Sequence, residues 1–500
     1  MYLWCIKMTG FKPSKYQEAI YQFIQKDKGN AIVEAVAGSG KTTTIVEATK
    51  LIPKEKKAIF VAFNRSIALE LQRKLPKHVK AQTLHSFGFS LFFNNSNCQV
   101  TPEVDGDKLY NITERVLKLA FNDREYRKYI SGYMNIISKI KAELLTPSNE
   151  SLDYIIDRYN ITVDFPIRLS LINTILNECK KDLSTVDYDD MIWIPIVCKF
   201  SSKTYDWVFV DEVQDLNRSQ FELIKKMCNG HSRIVAVGDS RQSIYAFRGA
   251  DTNSMKNFKE YFNAKELPLS ICYRCPSSVI KLAQQFVPQI ETFDKAPGGK
   301  VDHITEEDLD NIAKPGDLII CRTNAPLVKI AFMFIRQHRK AVIRGRDIGK
   351  RLLKIVKELE TNDMDLFINE LNRRIDQLRL KLQKIEDGVL PRKNKSSYTK
   401  EVDQLQTIIA ISEKCSSITS LKQTIQDIFS DKQEGIVLSS VHKVKGLEAK
   451  RIFILYYDEL MPHPMAETPE EFQQEINIKY VAVTRAREEL YLVAQPAEGC

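Results

Sequence analysis

Ala35-Val36-Ala37-Gly38-Ser39-Gly40-Lys41-Thr42 is the stretch that decides how this chain folds. An apolar run, Ala31 to Val33, precedes it and reads as a buried strand, and Thr43 to Leu51 reads as the start of a helix. A glycine-rich turn between a strand and a helix aims successive backbone N–H groups inward, and the helix N-terminus adds partial positive charge. Such a turn is a phosphate cradle. Lys41 would reach the β- and γ-phosphates of a nucleotide, and the Thr42 hydroxyl would hold Mg²⁺. Ala35 stands where the general pattern has its first glycine, so the strand–turn–helix context carries the reading as much as the letters do.

A chain of 500 residues exceeds what one core organises, and about two to four domains are expected. The apolar fraction of 43% and charged fraction of 27% are those of a soluble globular protein. No run of about eighteen apolar residues exists, which excludes a membrane-spanning helix on this criterion. Met1 to Gly10 lacks the basic–apolar–cleavage pattern of a secretory signal. The 10 cysteines are scattered, and a chain with a large core has no need of disulfides, so free thiols and a bacterial or host-cell cytoplasm are expected. The net charge of +9 suits a polyanionic partner without selecting one.

Apolar runs recur between helical stretches: Ala31–Val36, Ala58–Ala62, Trp207–Val210, Ile234–Val237, Leu318–Cys321, Val437–Ser439, Ile452–Leu455 and Leu490–Val493. Strands alternating with helices predict an α/β protein with parallel sheets covered on both faces. Two stretches interrupt the alternation. Residues 89–190 are helix-rich without strand signals. Residues 346–430 are helical too, and there Ile368, Leu371, Ile375, Leu378, Leu382 and Ile385 step by three and four, a seam of about two and a half heptads. Gly388 and Pro391 stop that helix, and a weaker seam, Val402, Leu405 and Ile409, follows. The expectation is an antiparallel helical hairpin with a basic tip running from Arg392 to Lys400, read first as a solvated loop and otherwise as a contact for a strand or protein partner.

A second chemical signal follows an apolar strand: Asp211-Glu212-Val213-Gln214-Asp215. Carboxylates at the C-terminal end of a parallel strand sit where ligands bind in such sheets. Asp211 would hold Mg²⁺, and Glu212 would orient or deprotonate an attacking water. A third element, Val237 to Ala250, also starts at a strand end. Gln242 could sense a γ-phosphate, and Tyr245 and Phe247 beside Arg248 would form a stacking platform for unpaired bases. Cys272-x-x-Cys275 has zinc or redox spacing, but no second close ligand pair accompanies it.

Together these segments resemble the motif set of superfamily 1 helicases, the UvrD/Rep/PcrA-like group, from about residue 11 to 493 and in family order. The resemblance implies that Gln17 reads adenine and that Ala37, Gly38, Ser39, Gly40, Lys41, Thr42 and Thr43 form the nucleotide cradle. It implies strand contacts at Phe63, Asn64, Thr83 and His85, and at Tyr245, Phe247 and Arg248. Tyr273 would stack on adenine, Arg274 would reach the γ-phosphate, and Arg485 would be a second finger. Val441 to Glu448 match the motif coupling nucleotide to DNA, with His442 and Lys445 toward the strand and Glu448 toward the nucleotide. The insertion at 346–430 is short, similar to compact viral members and to the helicase region of F-box DNA helicases. Phe247 stands where bacterial members usually carry Trp.

The fold implied is a pair of RecA-like motor domains of the P-loop NTPase class with helical insertions. The first motor domain is expected at 1–88 and 191–265 with an insertion at 89–190, the second at 266–345 and 431–500 with an insertion at 346–430. The activity implied is ATP-dependent, Mg²⁺-requiring translocation on single-stranded DNA, 3′→5′, with strand separation at single-strand/duplex junctions, by a monomer. Two other readings are a translocase that strips proteins from single strands and, in another class, a nucleotide-gated DNA-binding or scaffolding protein.

Overall fold

Each apolar run becomes a strand, and the strands gather into two six-stranded sheets, one in each of the two compact units into which the chain divides, Met1–Ser270 and Ile271–Cys500. The structure is a computed structural model that describes residues 12–93, 101–159, 161, 163, 165–244, 253–359, 361, 363–387, 389–390, 395–429, 435–464 and 466–495. The first sheet is built from β1 (Ala31–Ala35), β2 (Ala58–Ala62), β3 (Val79–Thr83), β4 (Trp207–Val210), β5 (Arg233–Gly238) and β6 (Lys265–Leu269). Its spatial order is β3-β2-β4-β5-β1-β6, every pairing parallel. A parallel sheet buries both faces, and here alternate residues divide between two cores. Val33, Phe60 and Phe209 join Ile20, Phe23, Ile45 and Leu71 on one side. Ile32, Ile59, Val61, Val208 and Val210 face the other, where the core runs on without a break into the helices Lys108–Ala120, Asp123–Glu143, Leu169–Lys181 and Tyr188–Val197.

The second unit repeats the plan with β7 (Lys300–Ile304), β8 (Leu318–Cys321), β9 (Ala341–Ile343), β10 (Ile436–Ser440), β11 (Ala449–Leu455) and β12 (Ala486–Val493) in the order β7-β12-β11-β8-β10-β9, again all parallel. Two packed helices, Met364–Glu386 and Lys395–Ser412, follow β9. Of the heptad seam, Leu371, Ile375, Leu378 and Ile385 are buried and Ile368 and Leu382 half-buried. In the second helix Leu405, Ile408 and Ile411 are the buried set, while Val402 and Ile409 are half-buried. No helix among the described residues is long and apolar enough to cross a membrane.

Two expectations need correction. Residues 89–190 contain strand after all: Glu103–Val104 pairs in parallel with Thr185–Val186. These pairs are too short to leave an apolar pattern. The basic tip expected from Arg392 to Lys400 is helical from Lys395 onward, and Lys395 is drawn inward by Glu467 and, at 3.9 Å, by Glu386. Gly388 and 391–394 lie outside the described residues.

A buried ionic cluster holds the first unit's helices in register. Asp190 is fully buried and takes Lys108 Nζ at 2.6 Å on one oxygen and Lys141 Nζ at 2.7 Å on the other. Lys108 also donates to the carbonyls of Cys179, Asp182 and Thr185, and Asp187 stands 3.5 Å from Lys141. Burial alone would pull the Lys141 ammonium down, but Asp190, Cys179 and Asp187 outweigh it and hold the group above its ordinary value. Removing one partner of a buried ion pair leaves an uncompensated charge, so Asp190→Asn is expected to cost about 3–5 kcal/mol. Urea denaturation of the first unit measures this; an unchanged midpoint would mean that the carboxylate does not hold these helices together.

Candidate functional site

Parallelism places the chemistry. Because all strands of the first sheet point one way, the residues following β1, β2, β3, β4 and β5 emerge at a single edge. The phosphate loop follows β1. Its turn needs Gly38 and Gly40 at φ 68 and 75, left-handed values that a side chain disfavours. Gly40 leads directly into the helix Lys41–Thr49, whose first N–H groups therefore face the loop. Ser39 is buried, and its hydroxyl has no hydrogen-bond partner among the described residues. An orphaned buried hydroxyl inside a cradle of N–H groups suits a phosphate oxygen.

Across the edge, Asp211 and Glu212 leave β4. Thr42 Oγ1 donates to Asp211 Oδ2 at 3.3 Å, and Lys41 Nζ lies 3.8 Å from Glu212 Oε1. Burial first and Glu212 second push the Asp211 carboxyl up to about 7, against Lys41 and the hydrogen bonds from Glu212 N–H and Thr42. Thr42 and Asp211 are the donor set a hard divalent cation would take. Among the described residues no group of three or more His, Cys, Asp or Glu side chains could hold a metal. Two protein oxygens are fewer than Mg²⁺ takes, so a site here would need further oxygen ligands.

The loop after β5 closes the set. Gln242 Nε2 donates to Asp239 Oδ2 at 2.6 Å, and Ser240 donates through its N–H and its hydroxyl to Glu34 Oε1 at 3.0 and 2.8 Å. Glu34 is the one acidic residue of β1. Burial raises its carboxyl and the two Ser240 hydrogen bonds partly offset that. It ties the cradle strand to the sensor loop, a role that its sequence context alone did not reveal.

Gln17 sits in the first turn of the helix Lys15–Lys26, where its Oε1 accepts the Ser14 N–H at 3.0 Å and its Nε2 donates to Thr44 Oγ1 at 3.0 Å. It thereby docks its helix on the helix of the phosphate loop. Thr43 is exposed and Ala37 buried.

The strand-contact candidates occupy the same edge and double as helix caps. Asn64 Oδ1 caps Arg65–Lys74 through the Ile67 N–H, and Thr83 Oγ1 caps Leu84–Phe92 through the Ser86 N–H. Phe63 is exposed. His85 lies edge-on to Tyr188 at 6.1 Å; burial pulls its imidazole down and Asp189 partly restores it. Tyr188 is 62% exposed, an aromatic residue beside a strand-contact candidate that sequence reasoning missed. Nothing in the helical stretch flags Tyr188; only the fold sets it against His85. Tyr245, Phe247 and Arg248 lie outside the described residues.

In the second unit Glu448 immediately precedes β11 and Arg485 immediately precedes β12, strands whose first residues pair. Arg274 reaches Glu448 and the residue before Arg485: Nε is 2.5 Å from Glu448 Oε2, and Nη1 donates to the Thr484 carbonyl at 3.3 Å. Arg485 is buried and donates to the carbonyls of Val481 and Leu447 and to Thr484 Oγ1. Tyr273 is half open to solvent beside Phe293, ring centroids 5.0 Å apart. His442 follows the C-terminal end of β10, and Lys445 lies on the return toward β11, three residues before Glu448. Cys272 and Cys275 are buried free thiols.

The family model for the UvrD/REP helicase N-terminal domain matches residues 16–263, and that for the UvrD-like helicase C-terminal domain matches 435–493, together more than half of the chain. Among curated relatives, the ATP-dependent DNA helicase PcrA of Staphylococcus epidermidis is 24% identical over 94% of this chain and 82% of its own length. PcrA of Staphylococcus aureus is 23% identical over the same shares. Among solved structures, the arterivirus nonstructural protein 10 helicase aligns with a TM-score of 0.35 and 13% identity over 97% of this chain, which spans 62% of the viral chain's length.

Proposed function

Because this chain belongs to the UvrD/Rep family of ATP-dependent DNA helicases, we propose that it hydrolyses ATP to move along single-stranded DNA in the 3′→5′ direction and separates strands at single-strand/duplex junctions. The observation that carries the reading is the meeting of Lys41, Thr42, Asp211 and Glu212 at one sheet edge, with Thr42 3.3 Å from Asp211 and Lys41 3.8 Å from Glu212.

In this reading the N–H groups of the cradle and the Ser39 hydroxyl bind the phosphates, and Lys41 neutralises the terminal pair. Thr42 and Asp211 would hold Mg²⁺, which would supply a counter-charge to the phosphates. Glu212 orients the attacking water and takes its proton. Gln17 and Tyr273 hold the base. The resemblance gives Arg274 and Arg485 the role of offsetting the charge that develops at the γ-phosphoryl. Arg274 is paired with Glu448, so acting on a phosphoryl group would require that pair to open. Phe63, Thr83, His85 and Tyr188, with the Tyr245–Arg248 segment, take the bases and backbone of the strand, as do His442 and Lys445.

Unwinding assays on duplexes bearing a 3′ or a 5′ single-stranded tail test this directly. Displacement is expected from the 3′-tailed duplex alone. Displacement from only the 5′-tailed duplex would reverse the polarity. Strand-stimulated ATPase with no displacement from either would favour a translocase that removes bound proteins. Absence of any strand-stimulated ATPase would favour a nucleotide-gated DNA-binding protein.

A further inference from the structure

Gln214 is 1% exposed, in the short turn Val213–Asp215 that follows the acidic pair. Its side chain is stretched between two loops. Nε2 donates to Glu212 Oε2 and, at 3.5 Å, to Asp215 Oδ2. Oε1 accepts the backbone N–H of Asp239 at 3.0 Å. Asp239 in turn holds Gln242, whose Nε2 donates to Asp239 Oδ2 at 2.6 Å. The same loop returns to Gln214 once more, where Ser243 Oγ donates to its carbonyl at 3.4 Å. The space is tight: a Cβ on Gly238 would stand 2.6 Å from Gln214 Oε1, so the amide reaches Asp239 only because Gly238 has no side chain.

These bonds form an unbroken line from Glu212 through Gln214 and Asp239 to Gln242. Its two ends are the carboxylate that would take a proton from water and the amide that would touch the γ-phosphate. Glu212 needs such a hold. It has φ 54, a left-handed value that costs a residue with a side chain, and its carboxylate is on a flexible stem. A primary amide is suited to the task because it donates at one end and accepts at the other. A lysine or arginine there would fix the carboxylate but weaken it as a base; a neutral amide fixes it without that penalty.

We propose that Gln214 is a positioning residue that clamps Glu212 to the loop of Gln242, so that base and phosphate sensor move as one. The inference rests on Glu212 being the base, and its test separates the two claims. Steady-state ATPase at saturating single strand is measured for Gln214→Glu, Gln214→Leu, Glu212→Gln and the double variant Glu212→Gln/Gln214→Glu. Gln214→Glu keeps the acceptor for the Asp239 N–H but sets an oxygen against Glu212. Its kcat is expected to fall about 10²-fold, the scale of a misplaced reacting group, with the ATP KM and the Kd for a fluorescent nucleotide within about threefold of wild type. In the Glu212→Gln background the same change is expected to alter the residual kcat by less than about threefold, because the two residues act as a unit. Retention of kcat by Gln214→Glu, or loss of kcat and nucleotide affinity together with a lowered melting temperature, would overturn the clamp. Gln214→Leu, which removes both polar ends, should lose kcat in the same way; a kcat within about threefold of wild type would overturn it as well. Normal turnover by Glu212→Gln would instead overturn the assignment of the base.

Discussion

Lys41→Ala is expected to lower strand-stimulated ATP turnover on the order of 10³-fold while leaving nucleotide-free affinity for single-stranded DNA within about twofold, because it removes a preorganised charge from the phosphate site alone. The ammonium sits at the start of the helix Lys41–Thr49, 3.8 Å from Glu212. Its loss acts twice. The terminal phosphates lose their counter-charge, and the acidic pair loses the cation that now restrains the rise of the Asp211 carboxyl. The strand-contact candidates Phe63, Asn64, Thr83 and His85 lie at the ends of other strands, β2 and β3, so strand affinity should survive. A coupled-enzyme ATPase assay and fluorescence anisotropy of a labelled oligonucleotide measure the two quantities. Turnover near the wild-type rate would remove the phosphate loop from the reaction.

Arg274→Ala should retain ATP binding and lose hydrolysis by about 10³- to 10⁵-fold, the effect of arginines that stabilise charge on a transferring phosphoryl group. It is a cleaner test than Arg485→Ala. The Arg274 side chain keeps 22% of its surface open and gives up one ion pair, to Glu448, and one carbonyl contact when truncated. Arg485 is buried, and its removal strands the carbonyls of Val481 and Leu447, so unfolding would mimic a catalytic defect. Single-turnover hydrolysis of radiolabelled ATP, beside equilibrium binding of a fluorescent analogue, reads the two effects apart. Hydrolysis within about tenfold of wild type would deny Arg274 the finger role.

The strands that could be read in the sequence and those that could not differ in one physical respect. The eight apolar runs became β1, β2, β4, β5, β8, β10, β11 and β12, each with a neighbour on both sides. Within the two six-stranded sheets, the four that no run announced, β3, β6, β7 and β9, are the edges. Three of these edges are half solvated and carry polar residues, as in Val79-Lys80-Ala81-Gln82-Thr83 and Lys265-Glu266-Leu267-Pro268-Leu269, whereas β9 is apolar and buried but only three residues long. The positions of Lys41, Thr42, Asp211, Glu212 and Gln242 at one end of the sheet were legible because each follows a central strand. Tyr188, Glu34 and Gln214 were not, since each acquires its role from a residue distant in the chain: His85, Ser240 and Asp239. The pairing of Arg274 with Glu448 and the enclosure of Arg485 likewise belong to tertiary structure.

Both long helical excursions leave the sheets from a rim. The first departs after β3 and the second after β9, and each of those strands has a neighbour on one side only. A chain that grows at such a point never has to pry two paired strands apart, so lengthening or shortening it leaves the hydrogen-bond register of the sheet intact. Lineages could therefore trade these appendages like interchangeable fittings, fitting one engine to different tasks, while the ends of the central strands kept their spacing.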